Sequence, residues 1–568
     1  MKAVLPFFVC WCAVAATPTA EIKVDQAGYP ASAPKVAMVV SKSRAADFVV
    51  RRTADGSVAF QGKLTAPAAD ADSGDRVQTA DFSKLEASGR YYLDVPGVGR
   101  SWDFAIGPDV YSRVYYLAMR AFYGQRCGTA VDLGPEFPGY THAPCHLNAA
   151  YHSSSGKTGP RGPSRGWHDA GDYGRYVVNS GITTGTLLWS YEMFGARIGD
   201  VKLNIPESGN GTPDLLNEVR WNLDWMLSMQ DDDGGAWTKQ TTEGFGGFIA
   251  PEKDTATSYV IGTGSAPFKS SCATADLAAV AAIAARIYQP YDAAYAARNL
   301  AAARKAWDWL GKYPNVLVLH DPPGIHTGVY GDKDCGDEEL WAAAELWRTT
   351  REDVYERYFL AHYGDYTKTL APGVRPPEWS AVAPFGLWAY VLGGGKDAAA
   401  VETIRSRSVA AADDIAARAS RNGYRVTLLR TDYVWGSNGM AGNYGLQLLV
   451  TNALRPNPRY VEAALDTLHY LLGRNTFSLS WVTGAGENPY RHPHHRQTAG
   501  TGKPEPWPGF LSGGPNADRQ DAVAKALPPG LAPAKVYVDE QASYSTNEVA
   551  INWNAALVFM LAGVMPAR

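Results

Sequence analysis

Two carboxylates stand three residues apart in a stretch framed by glycines, residues 166–174, which reads Gly-Trp-His-Asp-Ala-Gly-Asp-Tyr-Gly. At this spacing, Asp169 and Asp172 can both face one water molecule and take a proton from it, as a general base does. Acidic side chains near the start of a helix also cap its free N–H groups, and spacing alone favours capping. The stretch therefore offers either a base or a pair of helix caps.

A third carboxylate, Glu548, stands near the predicted start of the last apolar helix. Tyr544 and Trp553 are close to it in sequence, and aromatic rings can remove water from a carboxyl group. Such desolvation raises a carboxyl pKa, which a general acid requires. The alternative is a capping box that runs from Ser545 to Glu548.

A basic loop lies between these carboxylates. Residues 491–496 contain three of the 11 histidines and two arginines. Imidazole and guanidinium donors of this kind suit sugar hydroxyls or phosphate oxygens, and His494 and Arg496 are the candidates. The alternative is a solvated basic loop without a ligand.

Two cysteines and two histidines form a soft-ligand set ahead of the paired carboxylates. Cys127, Cys145, His146 and His168 supply two thiolates and two imidazoles, which is a tetrahedral zinc set. We favour His168 over His152 as the fourth ligand. A disulfide between the two cysteines is the alternative.

Hard oxygen ligands cluster in residues 332–339, just before a predicted helix. Asp334, Asp337 and Glu338 are of the type that calcium prefers. Acidic residues that enter a helix also favour its dipole without any metal. Both interpretations remain open on the residues alone.

Whole-chain properties limit the partners. The 568 residues carry a net charge of -4, with 46% hydrophobic and 19% charged residues, as in a soluble globular protein. Nothing in this balance favours nucleic acid or an anionic membrane surface. No later run of 18 uncharged apolar residues follows the N-terminus, so no membrane span is expected.

The N-terminus resembles an export signal. Lys2 precedes an apolar run at 3–16, and the small residues at 17–20 suit cleavage after Ala20, which predicts a signal peptide at 1–20. A buried N-terminal strand is the alternative. Export predicts a secreted or periplasmic protein. The cysteines beyond this segment are too few for a disulfide scaffold, although export permits a disulfide: Cys127, Cys145, Cys272 and Cys335.

Two kinds of periodicity divide the rest of the chain. Residues 21–106 alternate short apolar runs with turns at intervals of roughly ten residues, which predicts a small β-sandwich. Long connections at 126–174, 232–271 and 473–545 suit functional loops on a barrel of helical hairpins. The helical period predicts twelve helices, which start near 109, 175, 213, 272, 292, 337, 352, 380, 397, 439, 458 and 546.

Together these segments resemble glycoside hydrolase family nine. Residues 169–173, Asp-Ala-Gly-Asp-Tyr, match the family's base motif, and residues 480–496 match its histidine signature. Residues 24–29 resemble the start of the immunoglobulin-like module found in one branch of the family. The resemblance covers nearly the whole mature chain. The acid signature of the family fits at Tyr537, Asp539, Tyr544, Glu548, Ala550, Asn554 and Ala555.

The resemblance implies a mainly α fold: an (α/α)6 barrel catalytic domain at 107–568, preceded by an immunoglobulin-like β-sandwich at 21–106. It implies hydrolysis of β-1,4-glucosidic bonds in cellulose or a related β-glucan, with inversion at the anomeric carbon. Asp172 would be the base, Asp169 would hold the water, and Glu548 would be the acid. An inverting pair needs roughly 6.5–9.5 Å between its carboxyl groups to admit the water.

Further roles follow from the same resemblance. His494 and Arg496 would grip the sugar, and Asp539 would support the site. Tyr544 belongs to the acid signature, and we expect it to contact substrate. Trp435, in a segment that resembles a cleft-lining element, would stack on a sugar ring, although most of the 17 tryptophans must lie in the core.

The metals have family counterparts. Cys127 and Cys145, with His146 directly after the second, match a structural zinc site in this branch. Residues 332–339 resemble the family's calcium loop, but Ala381 stands where a further acidic ligand is expected. We expect no organic cofactor and a monomeric enzyme.

Three functions remain open. An endo-acting β-1,4-glucanase is the first. An exo-acting β-glucosidase or glucosaminidase of the same family is the second, with the glycine-rich connection 232–271 blocking one end of the cleft. A non-catalytic carbohydrate-binding protein is the third, and Asp169, Asp172 and Glu548 argue against it, because a decayed enzyme would be expected to lose one of them.

Overall fold

The computed structural model describes residues 17–41, 45–162 and 164–567. The predicted signal peptide, 1–20, lies outside the described residues except for its last four. Two of these are placed in the N-terminal module: Pro18 bridges Arg100, and the Thr19 amide donates to the Arg100 carbonyl at 2.9 Å. Cleavage after Ala20 would remove this pairing.

Nine strands form two facing antiparallel sheets around their own apolar core. Alternation explains the packing: in the strand Gly89–Val95, Tyr91, Leu93 and Val95 point inward while their neighbours are half-buried. One sheet has the order β1-β2-β6-β5, and the other has the order β4-β3-β7-β8, with β9 also on β7. The bounds are β1 (Ile22–Lys23), β2 (Val36–Val39), β3 (Asp47–Arg52), β4 (Val58–Lys63), β5 (Ala68–Ala69), β6 (Arg76–Asp81), β7 (Gly89–Val95), β8 (Gly99–Arg100) and β9 (Phe104–Ile106).

Twelve long helices follow, as the helical period predicts, and eleven begin within three residues of the predicted start. The last begins at Ile551 rather than near 546. Their bounds are α1 (Ser112–Gly124), α2 (Val177–Ile198), α3 (Asp214–Ser228), α4 (Ser271–Tyr288), α5 (Ala293–Leu310), α6 (Gly336–Thr350), α7 (Asp353–Tyr366), α8 (Ala383–Leu392), α9 (Ala398–Arg421), α10 (Ser437–Leu454), α11 (Pro458–Leu471) and α15 (Ile551–Val564). Three short helices lie between α11 and α15: α12 (Arg496–Thr501), α13 (Ala522–Ala526) and α14 (Tyr544–Asn547).

The long helices form two concentric rings. Helices α2, α4, α6, α8, α10 and α15 contact one another in sequence around an inner ring, and α3, α5, α7, α9, α11 and α1 each pack outside one of them. This is an (α/α)6 barrel. The inner helix α4 (Ser271–Tyr288) shows why it closes: it is Ala-rich and nearly all buried, so its neighbours can approach closely.

Helix α4 is also the one described helix that is long and apolar enough to cross a membrane by length and composition, and 94% of its apolar window is buried inside the fold.

The long connections are more ordered than the sequence analysis expects. Two of them, 126–174 and 232–271, supply most of a five-stranded sheet with the order β13-β12-β16-β15-β14 beside the barrel mouth. The sequence does not reveal these strands for two reasons. The connections are rich in glycine and proline, and the short strands pair with partners far away in the chain. Their bounds are β10 (Val131–Asp132), β11 (Thr141–His142), β12 (Ala149–Tyr151), β13 (Pro160–Arg161), β14 (Arg175–Tyr176), β15 (Lys239–Thr241) and β16 (Ser258–Ile261).

The N-terminal module braces the third long connection, 473–545. The Gln26 side-chain oxygen accepts from the backbone of Glu487 at 3.0 Å and of Asn488 at 2.7 Å, and its amide donates to the Ser478 carbonyl at 3.0 Å. The basic loop at 491–496, called the histidine-rich loop below, begins just beyond these residues. The module therefore helps to hold a segment that reaches the barrel mouth.

Candidate active site

The loop that carries Asp169 and Asp172 is folded tightly on itself. The Asp169 amide donates to the Gly174 carbonyl at 2.9 Å, and the Asp169 carbonyl accepts from Ile551 at 2.9 Å. A Cβ at Gly171 would lie 2.1 Å from the His494 carbonyl oxygen, so only glycine fits between the two loops. Neither carboxylate caps α2, which begins after Tyr176 without a side-chain cap.

The Asp172 carboxylate is buried and oriented through one of its oxygens. Oδ2 accepts from the Gly174 amide and from the Tyr176 hydroxyl, both at 3.0 Å. Among the described residues, both hydrogen bonds to this carboxylate end on Oδ2. Oδ1 is therefore the oxygen that accepts no hydrogen bond from the described residues.

The Asp169 carboxylate is held at both oxygens. Oδ1 accepts from Asn179 Nδ2 at 2.7 Å, and Oδ2 accepts from the Tyr330 hydroxyl at 2.5 Å. Burial, with the neighbouring charge of Asp172, raises the pKa of Asp169 to about 8. Because this carboxyl group keeps its proton at neutral pH and each of its oxygens already accepts a hydrogen bond, it suits an orienting role better than the uptake of a proton.

Glu548 lies in extended backbone between α14 and α15. The capping-box alternative from Ser545 is therefore wrong, because Glu548 is not in the first turn of a helix. Residue 548 instead bridges His494 of the histidine-rich loop. Burial, reinforced by the charges of Asp172 and Asp169, raises the pKa of Glu548 to about 8, so its carboxyl group keeps its proton at neutral pH.

One cavity of about 640 Å³ joins the three carboxylates. Trp435 and Tyr544, whose ring centroids are 5.3 Å apart, line it, and Trp435 is 41% exposed. Phe245, from the glycine-rich connection, also lines it and is 54% exposed. Exposed aromatic faces beside carboxylates are well suited to sugar rings.

Two residues of the histidine-rich loop reach the same cavity. His494 Nδ1 donates to the Gln541 carbonyl at 2.7 Å, which fixes the ring, and burial lowers its pKa. Arg496 donates from Nε to Gly246 at 2.8 Å and from Nη1 to Gly171 at 3.0 Å. Arg496 therefore ties two cavity loops together, and its Nη2 takes no partner from the described residues.

Asp539 lies outside the cavity lining. Its oxygens accept from the backbone of Arg491 and His492, both at 2.8 Å, and from Asn547 Nδ2 at 3.0 Å. Asn547 directly precedes Glu548. The position of Asp539 fits support of the histidine-rich loop and of Glu548 rather than contact with substrate.

Comparison with known proteins identifies the family. The family model for glycosyl hydrolase family 9 matches residues 111–561, and the model for the cellulase N-terminal Ig-like domain matches residues 17–100. The chain belongs to glycosyl hydrolase family 9. It is therefore a glycoside hydrolase, with the barrel and N-terminal module that the resemblance implies.

Its relatives in family 9 span most of its length. Endoglucanase D of Acetivibrio thermocellus is 40% identical over 90% of this chain and 78% of its own length. The cellodextrinase of Butyrivibrio fibrisolvens is 34% identical over 96% of this chain and 100% of its own. The solved structure of family 9 endoglucanase J30 is 35% identical, with a TM-score of 0.88 over 95% of this chain and 100% of that one; its Zn-binding triple mutant scores 0.87.

The four predicted soft ligands of this family 9 enzyme come together in one buried cluster. The Cys127 and Cys145 sulfurs lie 3.9 Å apart, Cys127 Sγ lies 3.6 Å from His146 Nδ1, and Cys145 Sγ lies 3.7 Å from His168 Nε2. Metal bonds of about 2.0–2.3 Å give tetrahedral edges of about 3.4–3.8 Å. His152 turns instead to Ser154.

The chemistry of these four ligands also suits a metal. The two thiols are free, so the alternative disulfide is not formed. Burial opposes ionisation of Cys127, but a hydrogen bond from Cys145 and the charge of Arg175 lower its pKa well below the usual value, which favours a thiolate. Burial lowers the pKa of His168 to about 4 and keeps it neutral. Thiolate and neutral imidazole are the forms that bind metal. The hydrogen bond to Cys127 raises the pKa of Cys145 well above its usual value. Burial opposes protonation of His146, but the Cys127 charge outweighs it and raises the pKa of His146 to about 9. Metal binding must therefore displace a proton from each of these two ligands.

The structure does not bring Asp334, Asp337 and Glu338 together. Asp337 Oδ2 accepts from two amides at the start of α8, while Asp334 accepts from the Tyr366 hydroxyl. The described residues contain no group in which all three acidic side chains lie within 4.8 Å of one another. Asp337 Oδ2 is thus used at the start of α8, whereas Asp337 Oδ1 and both Glu338 oxygens are buried and accept no hydrogen bond from the described residues.

A disulfide lies beside this acidic stretch. Cys272 at the start of α4 is bonded to Cys335 just before α6. Export permits a disulfide, but the pair that the residues suggest for one is Cys127 and Cys145. Cys272 and Cys335 are 63 positions apart in the sequence, which hides this pairing from local patterns.

Two tyrosines of the site are absent from the sequence predictions. Tyr176 and Tyr330 donate to the two aspartates, and their ring centroids lie 4.6 Å apart. Tyr330 also meets Trp379 in the cavity lining, with centroids 5.0 Å apart. Tyr176 lies four residues after Asp172 and was within reach of the motif. Tyr330, 161 residues from Asp169, left no local signal.

Proposed function

We propose that this family 9 enzyme is an endo-acting β-1,4-glucanase that inverts the anomeric carbon. The observation that carries the proposal is the single cavity that contains Asp172, Asp169 and Glu548 together with exposed aromatic rings. The rings of Trp435 and Phe245 offer stacking faces for more than one sugar. The family relatives named above include an endoglucanase.

In the proposed mechanism, water sits between the two aspartates and the anomeric carbon. Asp172 Oδ1 takes the proton of the attacking water, and Asp169, held by Asn179 and Tyr330, orients that water. Glu548 donates its proton to the leaving oxygen, since its raised pKa keeps it protonated below about pH 8. Proton removal and proton donation then occur on opposite faces of the sugar.

Binding comes from the other cavity residues in this proposal. His494 offers Nε2, because its Nδ1 is committed to Gln541, and Arg496 offers Nη2. Trp435 and Tyr544 stack on the sugar. The rigid partners of these side chains limit the conformational entropy that ordering would cost.

Endo action has a direct test. We expect the viscosity of carboxymethyl cellulose to fall early, when few reducing ends have been released, because cuts inside a chain shorten it most. Parallel measurement of viscosity and reducing ends gives the ratio, with Glu548→Gln as the inactive control. Steady release of glucose or cellobiose at nearly constant viscosity would contradict endo action.

An exo-acting glucosidase or glucosaminidase is the second candidate, and one observation favours it. The glycine-rich connection reaches the cavity: Phe245 lines it, and the Gly246 carbonyl accepts from Arg496. A loop in this place can close one end of a cleft. The viscosity measurement separates this candidate from the first.

We also propose zinc for the cluster of Cys127, Cys145, His146 and His168. The four ligands fill a tetrahedron and leave no position for water, which is the pattern of a structural site. His168 directly precedes Asp169, so bound zinc would fix the start of the catalytic loop. Its role in this proposal is to hold that loop, with no part in proton transfer.

Zinc removal is expected to destabilise the protein more than it alters the chemistry. Elemental analysis should find one zinc per chain, and chelation at pH 7 should lower the melting temperature. Cys127→Ser should cost about 4 kcal/mol or more in the free energy of unfolding, because loss of a metal belongs to the largest destabilising classes. Protein without zinc, with Cys127 and Cys145 oxidised to each other, would refute the site.

Three lesser proposals complete the account. Calcium at Asp334, Asp337 and Glu338 stays a prediction, and the same elemental analysis tests it. The Cys272–Cys335 disulfide supports export, since such bonds persist in oxidising compartments. A monomer that acts on the β-glucan also stays a prediction.

A further inference from the structure

A buried lysine lies behind the catalytic carboxylates. Lys239, in β15, is 2% exposed and is the cross-strand partner of Tyr176 in β14. Its ammonium donates to the Gly328 carbonyl at 2.8 Å, to Thr327 Oγ1 at 3.1 Å and to Asp321. All three ammonium hydrogens are therefore committed to the segment 321–328.

That segment leads directly into the groups that orient the two aspartates. The Gly328 amide donates to the Tyr176 hydroxyl at 3.2 Å, and this hydroxyl donates to Asp172 at 3.0 Å. Two residues later, the Tyr330 hydroxyl donates to Asp169 at 2.5 Å. Lys239 contacts neither aspartate directly, but one or two intervening residues connect it to each of them.

The backbone in between is under strain. Tyr330 has a φ of 47°, in the left-handed region that a bulky residue adopts only when its surroundings impose it. We name residues 327–335 the tyrosine strap. Lys239 fastens its first two residues, and the disulfide from Cys335 to Cys272 fastens its last.

We propose that Lys239 is a positioning residue for catalysis. By holding the start of the tyrosine strap it sets the Gly328 amide against Tyr176 and the Tyr330 hydroxyl against Asp169. The orientation of the base and of its helper then depends on this ammonium. The inference rests on the proposed function, since it acts through Asp172 and Asp169.

A second lysine in the same connection provides a matched control. Lys269 is 7% exposed, pairs with Asp231 at 2.7 Å and lies over the Trp237 ring at 5.5 Å. It is buried and paired as Lys239 is, but none of its described contacts is a cavity residue. Lys269→Met therefore reproduces the loss of a buried ion pair without touching the strap.

Lys239→Met should lower kcat by about 10²-fold, the order of effect that misplacement of reacting groups produces. KM should change by less than about threefold, because the binding residues are untouched. Lys269→Met should lose a similar amount of thermal stability and keep kcat. If Lys239→Met does not fold, the double variant Lys239→Met/Asp321→Asn avoids an unpaired carboxylate and is measured in its place.

A double-mutant cycle with Tyr176→Phe shows whether the lysine acts through the strap. In the Tyr176→Phe background, loss of Lys239 should lower kcat by much less than 10²-fold, since part of its effect is already lost. Equal effects in both backgrounds, or normal kcat in folded Lys239→Met, would overturn the proposal. Asp172→Ala distinguishes failure of the proposed function from failure of the positioning role. If Asp172→Ala stays active, the proposed function fails. If Asp172→Ala is inactive and Lys239→Met is fully active, only the positioning role is refuted.

Discussion

Glu548→Gln is expected to lose about 10²–10⁴-fold in kcat on unactivated cellooligosaccharides, because an amide cannot donate the proton that the leaving oxygen needs. Of the four carboxyl residues that line the cavity, Asp169, Asp172, Glu378 and Glu548, Glu548 is the one whose backbone bridges His494. An aryl glycoside with a very good leaving group should suffer much less, since such a group departs without protonation. The ratio of the two losses therefore reports the missing acid.

The pH dependence supplies a second measurement on the same variant. The raised pKa of Glu548, about 8, predicts that wild-type kcat/KM falls as pH rises through about 8, and this limb should shrink in Glu548→Gln, where Asp169, whose pKa is also about 8, still titrates in this range. The raised pKa of Glu548 changes stability with pH in the direction opposite to that of a salt-bridged acid, whose pKa is lowered on folding. A carboxyl group whose pKa rises from about 4.3 on folding destabilises the protein as pH increases.

At pH 8, the glutamine variant should therefore be at least as stable as the wild type, which excludes misfolding as the cause of lost activity. Near-normal turnover of unactivated oligosaccharides by Glu548→Gln would show that Glu548 is not the general acid. An unchanged alkaline limb would show that another group sets it.

Asp172→Ala is expected to reduce kcat by about 10²–10⁴-fold while ligand affinity changes little. The reason is that water loses its proton acceptor, whereas Arg496, His494 and the aromatic rings still hold the sugar. Calorimetric titration with a cellooligosaccharide measures the affinity, and initial rates measure kcat. Azide should restore part of the rate, because a small anion can fill the space of the missing carboxylate.

Asp169→Ala is the matched control for this variant. It should also lower kcat, but less than Asp172→Ala, since Asp169 only orients the water in the proposed mechanism. Azide should not restore its rate. A larger loss in Asp169→Ala than in Asp172→Ala would exchange the two roles, and a loss of sugar affinity in Asp172→Ala would make that residue a binding group.

The sequence predicts the features of this protein that are local. Apolar patterns identify the twelve long helices, because the pattern of each helix lies within one continuous stretch of sequence. The inner helix α4, for example, is an Ala-rich apolar run that begins directly after its capping residue Ser270. The soft ligands are also recognisable, since three of them lie within about twenty residues of one another. The structure brings these four together, with ligand atoms within 4.8 Å of one another.

Features made by long-range contacts were out of reach. Tyr330 and Lys239 carry no motif, because their roles depend on which loops meet at the barrel mouth. The disulfide of Cys272 joins two helices whose adjacency only the closed barrel creates. The acidic stretch stays open: its composition suits calcium, and although one Asp337 oxygen accepts from the start of α8, calcium there stays a prediction.

The anomeric configuration of the first product tests the central claim most directly. If Asp172 activates water on the face opposite Glu548, a β-linked substrate must give an α-configured product. Proton NMR of wild-type hydrolysis, followed before mutarotation, should show the α-anomer signal rising first. A β-configured first product would mean that a carboxylate forms a covalent intermediate, and it would contradict the role of Asp172 as a base.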